Sequence, residues 1–233
     1  MKIALVGYGK MGKIIDRIAG ERGHEVVARL KETPNQKNLG NPDVVIEFSQ
    51  PESAFVNISE CLKLGIPVVS GTTGWLDQKP EAEKLASDNN TAFLYGSNFS
   101  LGVNLFFAIN EKVAEMMNGF SDYTVQLEEI HHVHKKDAPS GTAISLADGI
   151  IRNDERFSEW KLDETEEGKL GIHAIQKDEV PGTHSVFYRS TVDEIELKHV
   201  AYSRDGFALG AIVAAEWIPG RTGHFSMKDV LQF

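Results

Sequence analysis

The first twelve residues constrain the fold of this chain more than any other segment. Ile3–Val6 is a short, wholly apolar run, as is typical of a parallel strand buried on both faces. The pattern GxGxxG follows at once and opens a segment with helical periodicity. This context predicts a dinucleotide site with its phosphates at a helix N-terminus; a tight turn without a ligand is the alternative. The predicted cofactor-binding residues of this turn are Gly7, Tyr8, Gly9, Lys10, Met11 and Gly12.

Strand and helix patterns alternate through the first ninety-five residues. Apolar runs predict five strands, near residues 3–6, 26–28, 44–46, 67–70 and 92–95. Helical periodicity predicts three helices between them, from Lys10, from Pro51 to Leu64, and over 81–87. Strands that alternate with helices favour an α/β fold, here a doubly wound parallel sheet of Rossmann type.

Charged residues of both signs stand where the second strand ends, about 20 residues beyond the glycine turn. At this place a carboxylate suits the ribose diol of NAD, and a cation suits the 2′-phosphate of NADP. The chain carries Arg29, Lys31 and Glu32 there. We therefore expect both NADPH and NADH as cofactors, with Lys31 as a cofactor-binding residue; a solvated loop of mixed charge is the alternative.

Small polar residues follow the fourth and fifth strands. The carboxyl ends of parallel strands share one edge of a sheet, so these residues are expected beside the glycine turn. Their hydroxyl and amide groups suit a ribose or a carboxamide, although ordinary turns are the alternative. The predicted cofactor-binding residues at these two strand ends are Gly71, Thr72, Thr73, Ser97, Asn98 and Phe99.

The second half of the chain has a different pattern. A long helix is predicted over 101–118, with its apolar stripe in the core, and the polar segment 153–170 reads as an exposed connection. Antiparallel strands are predicted over 172–177, 183–190 and 192–200, followed by a helix over 207–217 and a short terminal turn. The stripe consists of Leu105, Ile109, Val113 and Met116.

Residues 131–143, HHVHKKDAPSGTA, concentrate groups that can exchange protons and bind anions. Histidine titrates near neutrality, and a desolvated lysine can act as an acid at about pH 7–8. Ser140 is a good N-cap for a helix whose first N–H groups, at Gly141 and Thr142, suit a carboxylate. The segment predicts a pocket for a small polycarboxylate. A metal site is disfavoured, because two lysines would repel the ion. It remains an alternative to the anion pocket, as does a solvated charged loop.

Composition excludes several classes of partner. Lys and Arg total 24 against 34 Asp and Glu, a net charge of −10 that disfavours nucleic acid and anionic membranes. The single Cys61 cannot form an internal disulfide, which suits a reducing compartment. The N-terminus has no pattern of a cleaved targeting segment and no apolar run is long enough for a bilayer, so a cytoplasmic location is expected.

Four blocks, in the same order, resemble the dihydrodipicolinate reductase family of lysine and diaminopimelate biosynthesis. They are the glycine turn, SGTTG at 70–74, NFSLGVN at 98–104 and EIHHVHKKDAPSGTA at 129–143. The resemblance implies an NAD(P)H-dependent oxidoreductase that reduces 4-hydroxy-tetrahydrodipicolinate to tetrahydrodipicolinate with loss of water. It also implies a dinucleotide-binding domain, 1–100 plus 206–233, and an inserted α+β domain, 101–205, that binds substrate and forms a homotetramer.

The resemblance also assigns residue roles. It makes His131 a proton donor and acceptor, Lys135 the proton donor, and His132 a substrate contact. Ser140, Gly141 and Thr142 are then the residues that hold a substrate carboxylate. Many members carry GxxGxxG and an Arg in place of Val133, so individual phosphate and anion contacts are expected to differ here. A related amino- or imino-acid dehydrogenase, such as an aspartate dehydrogenase, and an NAD(H)-binding redox sensor are the rival hypotheses.

Overall fold

The computed structural model describes residues 1–133, 138–164, 166–177 and 180–232. The chain divides into two compact units: unit 1 is Met1–Leu101 with Arg204–Phe233, and unit 2 is Gly102–Ser203. The functions that the sequence assigns to the two domains stay predictions. Among the described residues, no helix combines the length and apolar composition that crossing a bilayer requires.

The described residues form strands and helices that we number in chain order. The strands are β1 (Lys2–Val6), β2 (Glu25–Leu30), β3 (Val44–Glu47), β4 (Val68–Ser70), β5 (Ala92–Tyr95), β6 (Thr124–His131), β7 (Glu159–Leu162), β8 (Lys169–Gln176), β9 (Gly182–Arg189), β10 (Glu194–Ala201) and β11 (Gly223–Phe225). The helices are α1 (Lys10–Glu21), α2 (Pro51–Lys63), α3 (Lys79–Asp88), α4 (Leu101–Met117), α5 (Gly141–Asn153), α6 (Asp205–Trp217) and α7 (Met227–Leu231).

Unit 1 contains a parallel sheet with the strand order β11-β5-β4-β3-β1-β2. The Rossmann-type α/β prediction is confirmed, and the strand order reverses beside β1, between β2 and β3. The prediction of five strands was incomplete, because β11 adds a sixth beside β5. A three-residue strand that starts at a glycine has too little apolar pattern to be found from sequence.

Helices cover both faces of this sheet. Ile15 and Ile18 of α1 pack with the alanine-rich α6 on one face, and Ile58 of α2 packs with α3 on the other. Gly210 of α6 lies so close to the carbonyl of Phe99 that a Cβ would sit 1.7 Å from that oxygen. Leu64, which the sequence placed on the apolar face of α2, lies beyond the helix end and is 41% exposed.

Unit 2 contains a mixed sheet with the strand order β10-β9-β6-β8-β7. β9 pairs antiparallel with both β6 and β10, but β8 pairs parallel with β6 and β7. The predicted antiparallel arrangement was therefore wrong for residues 172–177, since β6 separates β8 from β9. The predicted exposed connection, 153–170, was also wrong: it contains β7, and Asp154 and Leu170 are buried.

The predicted core stripe of α4 was wrong for three of its four residues, and Val113 alone of the four packs against the core of unit 2. Leu105, Ile109 and Met116 are 47%, 52% and 63% exposed. The helix instead buries the side that carries Phe106, Asn110, Ala114 and Met117, and the amide of Asn110 donates to the carbonyl of Leu146 at 3.0 Å. Apolar side chains occur on more than one side of α4, so periodicity alone could not identify the buried side.

Candidate functional site

The glycine turn between β1 and α1 combines two tight contacts with one open position. Gly7 has φ +90°, and a Cβ there would meet the carbonyl oxygen of Phe48 at 2.1 Å. A Cβ on Gly12 would lie 2.7 Å from the oxygen of Gly7, whereas no atom lies within 4 Å of one built on Gly9. Gly7 and Gly12 thus permit close packing, and Gly9 leaves space for a ligand beside the N-terminus of α1.

A cleft of about 490 Å³ starts at this turn. It runs from the glycine turn to the end of β2 on one side and to the start of α2 on the other. Its lining comprises Val6, Gly7, Tyr8, Gly9, Lys10, Lys13, Lys31, Glu32, Thr33, Phe48, Ser49, Gln50, Ser53 and Asn57. The structure therefore places a cation and a carboxylate at the end of the cleft that follows β2.

The three charged residues at the end of β2, Arg29 within the strand and Lys31 and Glu32 after it, have different surroundings. Arg29 pairs with Asp16 through two hydrogen bonds of 2.6 and 2.7 Å, and the hydroxyl of Tyr8 donates to Asp16 at 2.5 Å. The Arg29 hydrogen bonds hold the pKa of Asp16 below its ordinary value. Lys31 and Glu32 line the cleft instead. Sequence alone could not separate the three, because Asp16 reaches Arg29 across the packing of α1 against β2.

A second cleft, of about 370 Å³, brings the ends of β1, β3 and β4 together. Its lining comprises Gly9, Lys10, Met11, Phe48, Ser49, Gln50, Pro51, Gly71, Thr72 and Thr73. Ser49 lines both clefts and was missed by the sequence analysis, although it stands three residues after the predicted strand at 44–46. The position shared by strand ends was the available signal.

The three residues after β5 that were predicted to bind the cofactor differ in their surroundings. Phe99 is 2% exposed and packs in the core of unit 1, so its side chain serves the fold. The amide oxygen of Asn98 accepts from the N–H of Ser100 at 2.9 Å and shapes the turn. Ser97 lies in the same turn at the carboxyl end of the sheet.

In unit 2, the end of β6 and the facing part of β9 bring together a cluster of three ionisable side chains. Alternation along the strand places Glu129 and His131 on one face, and the register pairs Glu129 with His184 on β9. A carboxylate oxygen of Glu129 lies 3.3 Å from Nδ1 of His131 and 3.4 Å from Nε2 of His184. Glu129 is 2% exposed. The sequence analysis gave neither Glu129 nor His184 a role in the site.

Ser140 connects this cluster to helix α5. Its N–H donates to the other oxygen of Glu129 at 2.9 Å, and its hydroxyl lies 3.1 Å from Nε2 of His184. The same hydroxyl accepts from the N–H of Ala143, which makes Ser140 the N-cap of α5. Gly141 and Thr142 therefore begin the helix, as the sequence predicted, while the Ser140 side chain faces inward and is buried.

The Glu129 carboxylate fixes the electrostatics of the cluster. Burial opposes its ionisation, but hydrogen bonds from His184 and Ser140 and the charge of His131 together lower its pKa below the ordinary value. An ionised Glu129 orients the His131 ring and stabilises its protonated form. Gly182 leaves room for that ring, since a Cβ there would lie 3.1 Å from Nε2 of His131.

The sequence also predicted Lys135 and His132 as residues of this site. Lys135 lies in the segment 134–137, outside the described residues, and His132 directly follows β6. One donor atom from each of Glu129, His131 and His184 lies within 4.8 Å of the other two, a set that would also suit a divalent metal ion. The expectation of no metal site stays a prediction.

Comparisons with known proteins cover the whole chain. The family model described as dihydrodipicolinate reductase, N-terminus, matches residues 1–99, and the one described as its C-terminus matches 102–231. A 4-hydroxy-tetrahydrodipicolinate reductase of Christiangramia forsetii is 52% identical over 99% of this chain and 98% of its own. One from Archaeoglobus fulgidus is 34% identical over the full length of both chains.

Solved structures show the same fold. A dipicolinate-bound dihydrodipicolinate reductase from Paenisporosarcina sp. TG-14 is similar with a TM-score of 0.78, at 22% identity over 97% of both chains. An amine dehydrogenase from Mycobacterium smegmatis is similar with a TM-score of 0.59, at 10% identity over 97% of this chain and 95% of its own. At such identities the likeness concerns the fold alone.

Proposed function

The chain belongs to the dihydrodipicolinate reductase family, and we propose that it reduces 4-hydroxy-tetrahydrodipicolinate to tetrahydrodipicolinate with loss of water. The product serves the biosynthesis of lysine and diaminopimelate. The 52% identity to a relative with this name carries the proposal. It spans both units, and not only the nucleotide-binding half that dehydrogenases of many kinds share.

Unit 1 holds the cofactor in this proposal. The open position at Gly9, the N–H groups at the start of α1 and the small side chains of Ser49 and Thr72 fit a nicotinamide dinucleotide. Bound NADPH or NADH supplies the hydride. Lys31 offers a cation to a 2′-phosphate, and Glu32 offers acceptors to a ribose diol. The presence of both side chains at one end of the cleft supports the use of both cofactors.

Unit 2 holds the dicarboxylate substrate. Gly141 and Thr142 begin a thirteen-residue helix, where the helix dipole favours a carboxylate. His132 is a second contact by its place in the family block. The dipicolinate bound to the Paenisporosarcina relative is itself a dicarboxylate, which supports this assignment.

Proton transfer uses His131 and Lys135. Glu129 faces Nδ1 of His131 and so favours the proton on that nitrogen in the neutral ring, which leaves Nε2 as the acceptor. The Glu129 charge also stabilises the ring once it is protonated. Lys135 is assigned as the proton donor to the reduced substrate from its place in the family block.

We further propose that the protein is a cytoplasmic homotetramer. The exposed Leu105, Ile109 and Met116 on α4 give unit 2 an apolar surface that association would bury. Light scattering coupled to size exclusion should report a mass four times the 25.7 kDa of one chain. A monomeric mass at micromolar concentration would contradict the assembly but not the activity.

A coupled assay tests the reaction. A separate synthase produces the substrate from pyruvate and aspartate semialdehyde, and oxidation of NADPH and of NADH is followed in parallel. We expect oxidation that depends on the synthase. No oxidation with either cofactor, in a preparation that binds both, would contradict the proposed reaction.

A further inference from the structure

A buried carboxyl group lies beneath the two clefts of unit 1. Glu47 is the last residue of β3 and is fully buried. One of its oxygens accepts hydrogen bonds from the N–H of Ser49 and the hydroxyl of Thr72, both at 2.9 Å, and from the Ser49 hydroxyl. The other accepts from the hydroxyl of Ser70 at 2.7 Å. Burial of such a group is unfavourable without these partners.

These contacts tie two ligand-facing loops to each other. Ser49 follows β3 and Thr72 follows β4, and the N–H of Ser49 also donates to the Thr72 hydroxyl at 2.8 Å. Both residues line the second cleft, whereas Glu47 lines neither cleft. β3 flanks the point where the strand order reverses, which is where dinucleotides bind in such sheets.

The network also extends into helix α2. The Asn57 amide donates to the Ser49 hydroxyl at 3.2 Å, and the Ser53 hydroxyl donates to it at 3.2 Å. The Ser53 hydroxyl also has the Gln50 carbonyl as an acceptor at 3.1 Å, but the Asn57 amide nitrogen can only donate to Ser49. The hydrogen of the Ser49 hydroxyl is therefore directed to Glu47, whose carboxylate can only accept. The orientation of Ser49 therefore depends on Glu47 as its acceptor.

We propose that Glu47 is a positioning residue for the cofactor: it holds Ser49 and Thr72 in the geometry that binds the dinucleotide without lining the clefts itself. This inference rests on the proposed function only in taking NADPH or NADH as the ligand. It predicts that cofactor affinity depends on a side chain that does not line the clefts and on Ser70, which does not line them either.

Glutamine is the conservative replacement for this residue. Burial raises the pKa of Glu47, while the hydrogen bonds from Ser49, Ser70 and Thr72 act in the opposite direction. A neutral side chain of the same shape is therefore tolerated. Glutamine keeps an acceptor for the Ser49 N–H and places a donor toward the Ser70 hydroxyl.

The test measures the dissociation constant of NADPH by fluorescence titration of the full-length protein. Glu47→Ala should raise the dissociation constant on the order of 10-fold, because the hydroxyls of Ser49 and Thr72 each lose the carboxylate that accepts their hydrogen bond. The two side chains are then less ordered in the cleft. Glu47→Gln should restore the constant to within about threefold of wild type. Glu60→Ala is the matched control on α2, since Glu60 is 41% exposed and pairs with Lys63. It should leave the constant unchanged.

Ser70→Ala is a second variant with a smaller structural change, and it tests the proposal in case Glu47→Ala does not fold. It removes one contact of Glu47 and should raise the dissociation constant about threefold. The loss of this buried hydrogen bond should lower the melting temperature without cofactor modestly, and a cooperative melting transition shows that the variant is folded. Wild-type affinity in a folded Glu47→Ala or Ser70→Ala protein would overturn the proposal, and so would a Gln variant as weak as the Ala variant. Failure of the wild type to bind either cofactor would instead contradict the proposed function.

Discussion

The cofactor cleft of unit 1 and the histidine cluster of unit 2 are built in different ways. The clefts are lined largely by residues that follow the ends of strands, as at Gly7–Met11 and Gly71–Thr73. In the cluster, strand register and a helix cap bring Glu129, Ser140 and His184 into contact, although these residues are far apart in the sequence. Cofactor binding in the cleft depends on open space, whereas proton transfer in the cluster depends on the orientation of its side chains. Substitutions in the two regions should therefore change different constants.

The largest effect is expected for Lys135→Ala, in the segment 131–143. Loss of the proton donor should lower kcat on the order of 100-fold or more, because general acid catalysis typically contributes that much. The dissociation constant of NADPH should stay at its wild-type value, since the cleft belongs to unit 1. Steady-state kinetics and a fluorescence titration check the two halves of this prediction. Retained turnover would remove Lys135 from proton transfer.

Glu129→Gln should have the next largest effect. The amide cannot stabilise a protonated His131, so kcat should fall roughly 10- to 100-fold and its dependence on pH should shift. Glu128→Gln is the matched control, because the neighbouring side chain points to the opposite face of β6. Equal losses in both variants would show that the strand, and not the Glu129–His131 contact, is responsible.

Part of the fold and of both regions could be predicted from the sequence. Short apolar runs predicted β1 to β5, and the glycine turn and the strand ends predicted about half of the residues that line the two clefts. Each of these signals is contained within a few neighbouring positions. Ser140 as an N-cap followed from the same kind of local rule.

The rest depends on contacts between distant segments. The pairing of Glu129 with His184 depends on the register of β6 against β9, and the exposed side of α4 depends on what packs against it. Arg29 could be separated from Lys31 only once Asp16 was located across the packing of α1 on β2. No pattern along the chain contains this information.

Lys31→Glu sharpens the comparison on the cofactor side. It replaces the cation that lines the cleft after β2, so the dissociation constant of NADPH should rise about 10-fold while that of NADH changes little. Lys37→Glu is the control, because Lys37 is exposed and does not line the described cleft. Parallel titrations with both cofactors decide the matter. Equal weakening for both cofactors would show that Lys31 does not contact the 2′-phosphate.

The smallest effect concerns acid stability. The pKa of Glu129 is lowered in the folded state, so its ionised form stabilises the fold above the ordinary carboxyl range. That contribution is lost as the pH falls through the folded-state pKa. Urea unfolding at pH 7 and at about pH 4 should show a larger loss of unfolding free energy for wild type than for Glu129→Gln. An equal loss would place the acid sensitivity elsewhere.

One paired measurement tests most directly whether the two regions work separately. Gly9→Ala places a methyl group in the open part of the cleft, with no atom of the protein within 4 Å, so the fold should be kept. The dissociation constant of NADPH and kcat at saturating NADPH are measured for Gly9→Ala and Glu129→Gln. We predict a roughly 10-fold weaker affinity with near-normal kcat for the first variant, and the reverse pattern for the second. A lowered kcat with unchanged affinity in Gly9→Ala, or weakened cofactor binding in Glu129→Gln, would contradict the account.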